Sequence, residues 1–162
     1  MSARESQVEK SIAQHLTSVV IESWYELDNR GGRRLAEFFT PDGVFDLGTA
    51  RFEGRKAIAA AMDARATRGP RVTRHLLSNL RVVRIDETHG VVTSVLQLYG
   101  ADGHPPLPIA SPTAIGDIED IFVRNTSETW LLSSRVFSAI FTDPSRFAPF
   151  AQNATPVGSA HG

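Results

Sequence analysis

VTRHLLSNLRVVRI (residues 72–85) is where this chain changes its period. Before it, apolar residues recur at helical spacing; within and after it they alternate and β-branched residues accumulate, the signature of strands. Arg81 to Ile85 and Val91 to Tyr99 read as two strands around a turn at Asp86 to Gly90. Ala114 to Arg124 and Thr129 to Phe141 read as a second hairpin, and the Pro- and Gly-rich stretch Ala101 to Pro112 as the loop between the pairs.

Working back from residue 72, Glu5 to Asn29 predicts a long helix whose main stripe is Val8, Ile12, Leu16, Val19, Ser23 and Leu27. Gly31-Gly32 stops it, and Arg33 to Phe39 reads as a short second helix. Thr40-Pro-Asp-Gly43 reads as a turn, Val44 to Leu47 as a short strand, Gly48 to Phe52 as its second arm, and Arg55 to Ala66 as an alanine-rich helix. Helices first and consecutive antiparallel strands afterwards predict an α+β domain in which one curved, mainly antiparallel sheet wraps around the N-terminal helices and leaves a cavity between them. A single domain is expected over residues 1–150, with residues 151–162 an unstructured tail rich in Ala, Ser and Gly.

Composition narrows the function classes. Seventeen basic residues against eighteen acidic ones leave a formal charge of −1, which argues against nucleic acid or an anionic membrane as partner. The absence of cysteine removes disulfides, thiolate catalysis and Cys-ligated metal centres. The opening MSARESQVEK is charged and does not read as a secretory signal, so a cytoplasmic location is expected.

Asp28 is a carboxylate in an unusual setting. At about 100° per residue it falls within about 20° of Ile21, 40° of Trp24 and 60° of Tyr25. Glu22 and Glu26 fall together elsewhere and read as a solvated face. A carboxylate on an apolar arc needs a partner, and His75 offers one. On a strand, Thr73, His75 and Leu77 share a face; if that face meets the first helix, Asp28 can fix the imidazole tautomer while the other ring nitrogen moves a proton.

Other polar and aromatic residues are secondary candidates. Trp24 and Tyr25 lie beside Asp28 as substrate-contacting aromatics, with Tyr25 also a candidate phenolic acid. Arg135 shares a strand face with Ser133 and Phe137; it is suited to stabilising an anion, or, the favoured reading, to pairing with Asp120 on the neighbouring strand. Asn79 is a candidate hydrogen-bond donor to a substrate carbonyl, or a turn residue. Phe147 and Phe150 are candidates for an apolar lid. His15, His89, His104 and His161 lack metal-site spacing, and there is no Gly-rich phosphate loop or nucleophile elbow.

Trp24-Tyr25-Glu26-Leu27-Asp28, Leu35-Ala36-Glu37-Phe38-Phe39-Thr40-Pro41-Asp42-Gly43-Val44, Phe52-Glu53-Gly54, Thr73-Arg74-His75 with Asn79, and the closing Asp120 to Arg124, Trp130 and Arg135 resemble, in order and spacing, the SnoaL-like branch of the nuclear-transport-factor-like superfamily. The resemblance spans Ile12 to Phe141. It implies a cone-shaped α+β barrel with an apolar pocket, and relatives among dehydratases, dehydrochlorinases, polyketide cyclases and ketosteroid isomerases. It implies that Asp28 orients His75 as a base acting on a small apolar substrate, without a cofactor, in a chain that associates as a homodimer. It also implies alternatives: a non-catalytic ligand-binding module, or an accessory subunit like the small subunit of ring-hydroxylating dioxygenases. The second histidine of scytalone dehydratase has no counterpart around Val95-Leu96-Gln97, and the tyrosine before its aspartate is replaced by Leu27.

Overall fold

The structure, a computed structural model, describes residues 3–147. Helix α1 (Ala3–Arg30) is followed by a 3₁₀ turn (Leu35–Phe38), strands β1 (Phe39–Asp46) and β2 (Arg51–Glu53), helix α2 (Arg55–Ala66), and strands β3 (Arg71–Ile85), β4 (His89–Asp102), β5 (Ala114–Arg124) and β6 (Trp130–Thr142). The strands form one sheet in the order β2-β1-β6-β5-β4-β3. All neighbours are antiparallel except β1 and β6, which run parallel. This is the α+β architecture that the sequence predicts.

The sheet curls because its ladders are interrupted. Register shifts fall between Ser78 and Arg81 and between Val82 and Arg84 on β3, and in the β5–β6 ladder two more leave Ser133 and Ile140 of β6 as the extra residues. Each extra residue bends its strand and adds twist. Asn79 sits in the first irregularity with φ 53°, a left-handed conformation that asparagine tolerates better than most residues. The concave face closes over α1, which buries Leu16, Val20, Ser23, Trp24 and Leu27. Gly90 on β4 lets helix and sheet approach there: a β-carbon at that position would collide with the Leu16 side chain. Ile58 and Met62 of α2, with Phe39, Phe45, Leu96, Ile118, Phe122, Leu132 and Phe137 of the strands, complete the core. Burying each such side chain is worth about 1.5–3 kcal/mol.

Several local expectations are corrected. The short helix expected over residues 33–39 is a single 3₁₀ turn, Leu35–Phe38. Thr40-Pro-Asp-Gly43 is not a turn but the irregular start of β1; its pairing with β6 jumps from Phe39 to Val44, which leaves Pro41 and Asp42 exposed without a ladder to satisfy. The strand expected from Arg81 begins ten residues earlier, continuous with the strand on which Thr73, His75 and Leu77 are expected to share a face. Glu26, assigned to a solvated face, is 2% exposed. The chain folds back after Gly31-Gly32, and the Arg34 amide donates to Glu26 Oε1 at 2.9 Å while Arg30 approaches Oε2 at 3.5 Å. Val8, placed in the buried stripe, is exposed. Phe150 and the tail from residue 151 lie outside the described residues. Among the described residues no helix is long and apolar enough to cross a membrane.

Candidate functional site

Asp28 leaves α1 at its last turn, opposite the start of β3, and the two elements pack directly. His75 Nδ1 lies 2.6 Å from Asp28 Oδ1, and the His75 backbone N–H donates to Oδ2 at 2.8 Å. The Thr73 hydroxyl donates to Oδ1, also at 2.8 Å. Strand periodicity explains the cluster, because Thr73 and His75 project to the same face and both reach one carboxylate. Both ionisable side chains are largely buried, 8% exposed for His75 and 7% for Asp28.

The charge state follows from the partners. Burial opposes ionisation of Asp28, but the His75 hydrogen bond and charge, the His75 amide and the Thr73 hydroxyl outweigh it and hold the carboxyl below the ordinary aspartate value. Burial pushes the His75 imidazole below its ordinary value; Asp28 pulls upward by hydrogen bond and charge, while the Arg65 and Arg135 cations add to the downward push. At neutral pH the pair is therefore carboxylate and neutral imidazole. An ionised carboxylate only accepts, so Nδ1 carries the ring proton and Nε2 is left as the free acceptor.

His75 opens on a cavity of about 50 Å³ walled by Trp24, Leu27, Phe45, Leu47, Leu96, Leu98, Phe137 and Phe147, with Thr73, Arg65 and Arg71 as its other polar members. Trp24 is the floor of the histidine: its ring stacks on His75 at 4.5 Å between centroids and 25° between planes. The Arg135 guanidinium lies 4.4 Å from the same indole ring. Trp24 Nε1 and Arg135 Nη1 are buried donors without a partner among the described residues.

Not every candidate converges here. Asp28, His75 and Trp24 come together. Tyr25 turns outward, 49% exposed, beneath the Arg30 guanidinium; adjacent helix positions face about 100° apart, so it cannot share the cavity wall with Trp24. Asn79 is exposed on a separate open groove with Arg81 and Thr93, because the strand irregularity at that residue carries it away from His75. Arg135 is fully buried and forked onto Asp120, Nε to Oδ1 at 2.7 Å and Nη2 to Oδ2 at 2.8 Å, so it braces Trp24 from behind rather than lining the cavity. Phe147 does line the cavity, packed on Phe137 at 5.9 Å. Sequence reasoning missed Arg65, Arg71 and the bonding role of Thr73. Arg65 had a signal: it continues the buried Ile58–Met62 stripe of α2 at i+3. Among the described residues no three His, Asp or Glu side chains gather as a metal site.

The family model described as SnoaL-like domain matches residues 14–136. No curated protein matches the chain. Among solved structures, ActVI-ORFA from Streptomyces coelicolor superposes with TM-score 0.68 at 19% identity, over 80% of this chain and 98% of that one. A putative scytalone dehydratase from Novosphingobium aromaticivorans gives 0.67 at 18% identity, over 85% and 89%. The β subunit of a putative aromatic-ring-hydroxylating dioxygenase from the same organism gives 0.73 at 13% identity, over 89% and 97%. At these identities the likeness is one of fold.

Proposed function

We propose that this chain, which belongs to the SnoaL-like domain family, is an enzyme that moves a carbon-bound proton on an apolar cyclic or polyketide-like substrate without a cofactor. One observation carries the reading: a histidine held by a buried carboxylate on the wall of a mainly apolar cavity. His75 Nε2 takes a proton from a carbon next to a carbonyl, and Asp28 stabilises the imidazolium that forms. The electron pair left on carbon moves into the carbonyl as an enolate, for which Trp24, a residue of the wall, has an Nε1–H without a partner among the described residues. The imidazolium then returns its proton, to a departing group in an elimination or to another carbon in an isomerisation. Cyclisation follows the same first step, with the enolate carbon attacking a second carbonyl, whose π pair moves onto its oxygen and takes the proton back from the imidazolium.

The test is proton exchange. Cyclic ketones such as 2-tetralone are incubated in deuterated buffer and α-deuteration is followed by NMR; the expected result is protein-dependent exchange that falls about 10²–10⁴-fold in His75→Gln. Exchange that survives this substitution overturns the reading. The β-subunit likeness supports a second reading, an accessory subunit without chemistry of its own, and that reading expects no His75-dependent exchange.

A further inference from the structure

We propose that the cavity beside His75 takes an anion carried on an apolar body, with a carboxylate held between Arg65 and Arg71. This names a substrate class for the acid–base site and rests on that reading of it.

Two cations in a wall whose other residues, Thr73 and His75 apart, are apolar are the starting observation. Arg65 donates only to the Thr73 hydroxyl, at 3.1 Å, and makes no ion pair among the described residues. The acid whose charge acts on it is Asp28, which already accepts from His75 Nδ1, the His75 amide and the Thr73 hydroxyl. Arg71 gives Nη1 to Asp102, a carboxylate that stands 82% exposed, and its other nitrogens have no partner among the described residues.

The backbone is shaped for this arrangement. Gly100 lies opposite Thr73 in the ladder, and a β-carbon there would sit 2.9 Å from Arg71 Nη2. The glycine thus leaves open the slot that the guanidinium fills. Burial and the neighbouring Arg71 charge both disfavour the charged form of Arg65, with Asp28 opposing them. A carboxylate between the two guanidinium groups would relieve that repulsion and match their planar donor forks. No carboxylate of the described residues lines the cavity to do so.

Calorimetry with 2-naphthoate and its near-isosteric neutral amide, 2-naphthamide, tests the proposal. The expected result is a naphthoate preference of about tenfold or more, reduced to near parity in Arg65→Gln and in Arg71→Gln while naphthamide affinity stays the same. Arg71 is the safer variant for folding because part of its side chain is already solvated. His75→Gln, which alters the remaining titratable group on the wall, should keep the preference. Equal affinity for the two probes, binding of neither, or a preference that survives both arginine substitutions overturns the proposal. An intact preference together with His75-independent proton exchange would overturn the acid–base reading alone.

Discussion

Asp28 grips His75 at two points, the ring through Oδ1 and the backbone amide through Oδ2. A carboxylate holding only the ring would leave the imidazole free to swing about its side-chain torsions. Holding the amide as well ties helix α1 to strand β3 at the residue whose orientation the chemistry depends on.

Asp28→Asn separates this orientation from charge. The amide is nearly isosteric, but its NH₂ can donate to Nδ1 and drive the ring proton onto Nε2, the wrong tautomer for a base. The expected outcome is a turnover loss of about 10²–10⁴-fold with KM little changed. Steady-state kinetics on any substrate found by the exchange assay, with ¹⁵N NMR of the imidazole, checks both halves.

Acid should destabilise the protein in two stages. The His75 pKa is depressed on folding, so below the unfolded value of about 6.5 the unfolded chain binds a proton that the native state refuses, and stability falls. Asp28 is depressed too; its contribution is complete above about 3.9 and drains as pH falls through the lower native value. Urea midpoints from pH 8 to pH 3 should show both limbs in the native sequence, and His75→Gln should lack the upper one. By the same argument, the acidic limb of kcat/KM should lie below pH 6.5.

The Arg135–Asp120 pair is expected to dominate the stability of the sheet interior. Both side chains are out of solvent, so Asp120→Asn strands a buried cation and should cost about 3–5 kcal/mol in urea denaturation. Replacing both residues, Arg135→Met with Asp120→Leu, should restore part of that loss, because no charge then remains unpaired.

Tyr25→Phe and Asn79→Gly should leave turnover unchanged, since neither residue touches the cavity. The glycine should also be accepted by the fold, because φ 53° at residue 79 suits it. A rate loss of tenfold or more in either variant would contradict the placement of the site described above.

What the sequence disclosed and what it hid have physical causes. Periods of 3.6 and 2 are imposed by burial, so α1, α2 and the four long strands were legible. Asp28 stood out because it shares an arc with Trp24, and His75 because only one face of its strand can meet that arc. The reading failed where a residue answers to a distant backbone group. Glu26 looked solvated because the amide it satisfies belongs to Arg34, eight positions on. Thr40-Pro-Asp-Gly43 has turn chemistry, yet a strand edge with no ladder to fill accepts proline and glycine equally well. Arg71 carried no signal at all: its place on the cavity depends on Gly100, which the register alone sets opposite Thr73.

The parallel pairing of β1 with β6 governs when the protein can become itself. Phe39 meets Leu132 and Phe45 meets Arg135, partners about ninety residues apart, while every neighbour from β3 to β6 is sequential. Loop closure on that scale comes late in folding. On the ribosome, the hairpins from β3 to β5 can assemble as they emerge, but Phe45, a wall of the cavity, has no strand beside it on the sheet's inner side until β6 is made. Nascent chains arrested before Trp130 should therefore be protease-sensitive around residues 39–53, and chains extended beyond Thr142 resistant there. The site is completed by β6, so a chain interrupted upstream of it carries both Asp28 and His75 and still lacks the vessel in which they work.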